Sequence, residues 1–238
     1  VKASFLLSVF LDLLFPPRCV FCGAIIAPGT KICRSCARTV VPVETVRRMN
    51  LPAAGKNIPC AVLYPYLGSV RESILRFKFE GEKRNADYYA ERMAAQLLEQ
   101  FRGSALDFIT SVPLSAKRKK ERGYNQSELI ACRISERLRV PYAECLVKAA
   151  DNAEQHRLKK SERKANVKGA YRAADSKIEG KRILMIDDIM TTGATLSECA
   201  SVLFGAGAES VFCAVVAETP AGSIETGQNL EYNKESKL

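Results

Sequence analysis

The chain has 238 residues, enough for one large domain or a domain with a small module, and its 47% apolar content excludes a disordered or low-complexity protein. Its 36 basic and 26 acidic residues leave a formal net charge of +10. Residues 113–172 alone hold 16 basic against 7 acidic residues, a concentrated field suited to a pyrophosphate-bearing ligand, a nucleic acid or both, with a solvated basic face as the bland alternative.

Residues 5–15 are apolar except for Ser8 and Asp12. The stretch is too short to span a bilayer and lacks a small-residue cleavage site, so it predicts an amphipathic helix packed on its own protein or on a partner, with association at a membrane surface, directly or through partners, as the lesser alternative. Residues 16–42 contain Pro, Gly and four paired Cys and lack the periodicity of a packed helix. Pro42 and the polar Arg47-Arg48 predict a boundary, giving a module over 1–45, a main domain over 46–220 and a polar, disordered tail over 221–238. The final Ser236-Lys237-Leu238 matches a peroxisomal address by letters only. The main domain predicts strands over 61–66, 106–112, 144–147, 168–172, 182–186 and 211–217, and helices over 68–79, 87–102, 127–138 and 195–204, the last stopped by Gly205-Ala206-Gly207. Strands alternating with helices predict an α/β fold with a parallel sheet flanked by helices, its ligand lying beyond the C-terminal strand ends.

Cys19-x2-Cys22 and Cys33-x2-Cys36, ten residues apart, have the spacing of a closed tetrahedral thiolate site. Four sulfurs leave no open position, so the metal is structural. Zinc leads, an iron–sulfur cluster is the alternative, and the metal supplies much of the stability of so small a segment. Cys60, Cys132, Cys145, Cys199 and Cys213 are scattered and read as small buried residues. The odd total of nine and the lack of a secretory pattern predict a reducing, cytoplasmic setting.

The apolar run 182–186 ends in Asp187-Asp188, followed by Thr191-Thr192-Gly193-Ala194-Thr195 and a helix start. The loop's N–H groups and hydroxyls suit a phosphate, with the helix dipole behind them, and the two carboxylates suit vicinal hydroxyls. Together they predict a pocket for a phosphorylated sugar. Two basic stretches accompany it. Lys117-Arg118-Lys119-Lys120-Glu121-Arg122 directly follows a strand, with Tyr124 available to stack on a base. Residues 155–171, including Lys159 and Arg163, are polar without a core face and read as a mobile lid, with the lone His156 more simply exposed than a general base.

Residues 183–195 resemble, without a gap, the phosphoribosyl pyrophosphate (PRPP) signature of type I phosphoribosyltransferases. Phe15-Pro16-Pro17-Arg18-Cys19, the four-Cys module, Arg122-Gly123-Tyr124-Asn125-Gln126, Asn166-Val167-Lys168-Gly169-Ala170-Tyr171 and that signature occur in the order of the ComF family, with Tyr124 and Tyr171 where Phe is usual. The resemblance implies a type I phosphoribosyltransferase fold behind a small zinc module, and a cytosolic bacterial role in natural transformation. It implies that Asp187 and Asp188 hold the ribose hydroxyls and Thr191, Thr192, Gly193, Ala194 and Thr195 the 5-phosphate. Lys117, Arg118, Arg122, Lys159 and Arg163 meet the pyrophosphate with Mg²⁺, or contact DNA. The expectations divide between a transferase acting on a nucleobase-like acceptor, a non-catalytic single-stranded-DNA binder that keeps PRPP as a ligand, and an adaptor docking a DNA-uptake helicase or channel protein.

Overall fold

The computed structural model describes residues 15–51, 56–100, 105–149, 169–174 and 178–220. The helix expected over 5–15, most of the polar stretch with His156, Lys159 and Arg163, and the tail lie outside them. No helix among the described residues is long and apolar enough to cross a membrane.

Near the N-terminus, Cys33 caps a short helix, α1 (Arg34–Thr39), its sulfur accepting the Cys36 N–H. No helix is expected there from periodicity; the sulfur cap, not an apolar face, starts it. Strand β1 (Thr45–Leu51) pairs antiparallel with β2 (Lys56–Pro65). Arg47 and Arg48, predicted to mark a boundary, therefore lie on a strand. Helices α2 (Gly68–Phe79) and α3 (Asn85–Gln100) lead to β3 (Phe108–Ser111). The basic run after it is a seven-residue helix, α4 (Ala116–Arg122), rather than a loop. Ser115 caps it by accepting the Arg118 N–H at 3.3 Å, and Gly123 ends it at φ +76°. Then follow α5 (Gln126–Leu138), a two-stranded ribbon of β4 (Leu146–Lys148) and β5 (Tyr171–Ala173), β6 (Arg182–Met190), α6 (Ala194–Gly205) and β7 (Ser210–Glu218).

The main sheet runs β1-β2-β7-β6-β3, parallel except for the β1 edge. Successive strand side chains point to opposite faces, and β6 divides the core accordingly. Leu184 and Ile186 pack with α2, α3 and α5. Ile183 and Met185 pack with α6, β1 and the small ribbon. The first face also takes in Cys19, Val20, Phe21 and Cys36 of the cysteine module. Phe21 is 1% exposed, with its ring 5.4 Å from both Tyr64 and Tyr88 in edge-on contacts. Burying such a ring contributes roughly 1.5–3 kcal/mol, so the module shares the core of the main domain rather than hanging from it.

Candidate functional site

Strand β6 extends past its predicted end, and the acidic pair lies within it. Asp187 still faces Val215, and Met190 faces Glu218, in register with β7. The two carboxylates therefore leave opposite faces of the sheet. Asp187 Oδ1 accepts the hydroxyl of Ser127, in the first turn of α5, at 2.8 Å and the Asp188 N–H at 2.8 Å. On the α2 side, Asp188 Oδ2 lies 2.9 Å from Lys78 Nζ, both side chains largely buried. Lys78 and Ser127 escape a sequence reading because each meets its partner only through the fold.

Burial first, and the Asp188 charge second, push the Asp187 carboxyl up to about 7, against the opposing Ser127 hydrogen bond. A carboxyl raised in the fold binds its proton more tightly folded than unfolded, so stability falls as pH rises from near 4 towards 7. Asp187→Asn removes that proton linkage. Its thermal midpoint relative to wild type is expected to be higher at pH 8 than at pH 5, and equal differences at both pH values would refute the assignment.

Beyond β6, Thr191, Thr192, Gly193, Ala194 and Thr195 line a cleft with Asp187 and Met190. Gly193 starts α6 at φ +72° and offers no side-chain cap, while the Ala194 N–H donates to the Thr192 hydroxyl at 3.4 Å. Met49 of β1 backs the turn, its sulfur 3.4 Å from where a Cβ on Gly193 would sit. The turn thus exposes backbone donors and hydroxyls at a helix N-terminus, beside a carboxylate.

Along α4, Lys117, Arg118, Lys119 and Lys120 are exposed. Lys119 pairs with Glu128 at 3.0 Å. Arg122 turns inward: its Nη1 donates to Gln126 Oε1 at 3.0 Å, and its guanidinium lies 5.1 Å from the centre of the Phe79 ring. Gln126, buried at the start of α5, keeps an Nε2 with no hydrogen-bond partner among the described residues. Tyr124 corrects an expectation. It is 6% exposed, packs against Phe77, and donates its hydroxyl to the Phe77 carbonyl. A ring spent on the core is not available to stack on a base.

The sulfurs of Cys19, Cys22, Cys33 and Cys36 all lie within 4.8 Å of one another. Cys22 Sγ and Cys33 Sγ are 3.7 Å apart, close to the edge of about 3.8 Å that ~2.3 Å zinc–sulfur bonds give a tetrahedron. The Cys33 N–H points at Cys19 Sγ at 3.3 Å and the Cys36 N–H at Cys33 Sγ at 3.4 Å. Such donors favour thiolates; the Cys36 N–H is the chief cause holding Cys33 down at about 7. The donor set fits a closed structural zinc. Of the remaining cysteines, Cys60, Cys145, Cys199 and Cys213 are buried and Cys132 is partly exposed.

Residues 88–229 match the phosphoribosyl transferase domain model and residues 10–47 a double zinc ribbon domain model. The DNA utilization protein YhgH of Escherichia coli (strain K12) is 29% identical, covering 83% of this chain and 96% of its own length. Competence protein F of Haemophilus influenzae (strain ATCC 51907 / DSM 11121 / KW20 / Rd) is 28% identical over 82% of each chain. Competence protein ComFC of Bacillus subtilis (strain 168) is 29% identical, covering 74% of this chain and 67% of its own. Four converging thiols, a mostly parallel sheet and an acidic pair leading into a glycine-capped helix start meet in one chain, which belongs to the phosphoribosyl transferase domain family in its ComF form, a zinc ribbon set ahead of a type I phosphoribosyltransferase domain.

Proposed function

We propose that the protein binds Mg²⁺-PRPP at the C-terminal edge of β6 and serves DNA uptake in natural transformation. The observation that carries the first half is the pairing of Asp187 and Asp188 with a Thr-rich turn that opens α6 through a glycine cap. In this reading the loop 191–195 takes the 5-phosphate through its N–H groups and hydroxyls. The ribose hydroxyls donate to the carboxylates, which requires Asp188 to share or release Lys78. Arg122 at the end of α4, and Gln126 Nε2 at the start of α5, unpartnered among the described residues, meet the pyrophosphate. Mg²⁺ would neutralise the leaving pyrophosphate. As that bond loosens, positive charge grows at C1 of the ribose, and catalysis is chiefly positioning and charge stabilisation. The acceptor is a nucleobase-like amine.

The names of the relatives, one a DNA utilization protein and two competence proteins, support the second half. The exposed cations of α4 favour direct contact with single-stranded DNA. An adaptor role, with the ribbon docking a DNA-uptake helicase or channel protein, is supported by Phe15 and Ile25, which the ribbon leaves exposed. The cellular setting in this reading is the cytoplasm.

Calorimetric titration of Mg²⁺-PRPP into the wild-type protein tests the pocket, with saturable binding expected and none overturning it. Pyrophosphate release in a screen of base acceptors then separates an enzyme from a binder. For DNA, Lys117→Ala with Arg118→Ala and Lys120→Ala is expected to flatten the log–log salt slope of oligonucleotide binding by about 2, since each lost phosphate contact on a single strand removes roughly 0.7. An unchanged slope would take DNA off α4.

A further inference from the structure

The last turn of α2 holds three ties at three consecutive residues. Arg76 reaches back to the cysteine ribbon, its Nη2 donating to the Val20 carbonyl at 3.0 Å and the Phe21 carbonyl at 2.7 Å. The guanidinium packs on Gly23, whose φ of +72° shapes the first cysteine turn. Phe77 is fully buried, and its carbonyl takes the Tyr124 hydroxyl from the turn between α4 and α5. Lys78 holds Asp188. Val20 and Phe21 lie between two metal ligands, Cys19 and Cys22, so the carbonyls that Arg76 grips are placed by the metal site.

We infer that the zinc ribbon positions the ribose-binding carboxylate through this turn. Arg76 is the positioning residue, Lys78 the group it places, and metal loss in the ribbon weakens ligand binding at β6. The chain of contacts is continuous: thiolates fix the turn 19–22, its carbonyls fix Arg76, and two residues on, the same helical turn fixes Lys78 against Asp188. The turn is gripped from both sides, the ribbon carbonyls holding Arg76 and Tyr124 holding the Phe77 carbonyl, and its neighbours are close-packed core. A displacement at the ribbon end therefore reaches Lys78 without a flexible link. The inference rests on the reading of β6 as a PRPP site, and the test separates the two.

The variants are Arg76→Met, which retains the stem and leaves Glu82 its pair with Arg84 at 3.5 Å and its hydrogen bond from Asn85 at 3.2 Å, and Arg76→Lys as the conservative rescue. Zinc content and cooperative unfolding establish that each is folded and loaded. Calorimetry with Mg²⁺-PRPP is expected to show about a tenfold rise in Kd for the Met variant, partly restored by Lys, and less than about a twofold effect when Lys78→Met is already present, as coupled residues require. Equal loss with and without Lys78 would make Arg76 merely structural and overturn the inference. Hydrogen exchange at residues 76–80, compared with and without zinc, reads the coupling without any ligand. Faster exchange after zinc removal supports it, and unchanged exchange overturns it. If wild type takes up no Mg²⁺-PRPP, the pocket reading fails, and the exchange comparison decides the coupling alone.

Discussion

Changing Asp187 and Asp188 together to Ala is expected to raise the Kd for Mg²⁺-PRPP at least about a hundredfold, roughly 2.7 kcal/mol. In the proposed reading, removing the carboxylates deletes the acceptors for both ribose hydroxyls, while the loop 191–195 remains for the phosphate. The structure also shows why the variant needs a companion. Asp188→Ala leaves Lys78 charged and largely buried without the carboxylate that pairs with it among the described residues. Breaking a buried pair from one side costs about 3–5 kcal/mol of stability, enough to confuse lost binding with lost folding. Asp188→Ala with Lys78→Met removes the orphan, and Asp188→Asn keeps the shape. Wild-type affinity in any of these, with an unfolding transition like wild type, would remove the pair from the site. Burial and the Asp188 charge push the Asp187 carboxyl up to about 7, so Asp187→Asn is expected to flatten the pH dependence of affinity between pH 5 and pH 8.

Stripping the metal is the second large effect. Cys33→Ser with Cys36→Ser, or chelation, is expected to lower the unfolding midpoint of the whole protein by about 10 °C or more, read by near-ultraviolet circular dichroism. A structural zinc site contributes about 10–16 kcal/mol of binding energy in isolated fingers, comparable with the entire stability of an ordinary domain. Here the loss does not stop at the ribbon, because Phe21 and Val20 belong to the core behind α2 and α3. Opening that pocket costs about what Phe→Ala does in a core, roughly 3–5 kcal/mol, and each kcal/mol shifts the midpoint of a chain this size by about 2–4 °C. Phe21→Ala with zinc still bound is expected to reproduce much of the loss. A chelated protein that melts at the wild-type temperature would show that the ribbon is an appendage.

The parts legible in the sequence are those whose determinants are local. The four thiols lie within 18 residues, and the strand, acidic pair and loop of the candidate site are contiguous. Helix α2 matches its predicted bounds because its apolar positions recur with helical period. Where determinants are not apolar, pattern reading fails. The first four residues of β1 are exposed on the sheet edge and include two arginines, so the strand carries almost no alternation. Helix α4 buries nothing and is delimited by Ser115 and Gly123 alone. Tyr124 stands in a polar segment, and only the fold reveals that its ring fills the gap beside Phe77. Lys78 and Asp188 are 110 positions apart, and no local signal joins them.

The edge-on packing of Phe21 against Tyr64 and Tyr88 has a consequence for descent. A lineage that gave up its cysteines would keep a large aromatic pocket with its plug no longer held in place, facing two tyrosine rings whose hydroxyls lie 3.1 Å from each other. Shedding the metal is then not one step but several, since the pocket must be refilled from another segment before the thiols become dispensable. Descendants without the four cysteines should accordingly carry compensating changes at the positions of Tyr64 and Tyr88, far from any metal ligand in sequence.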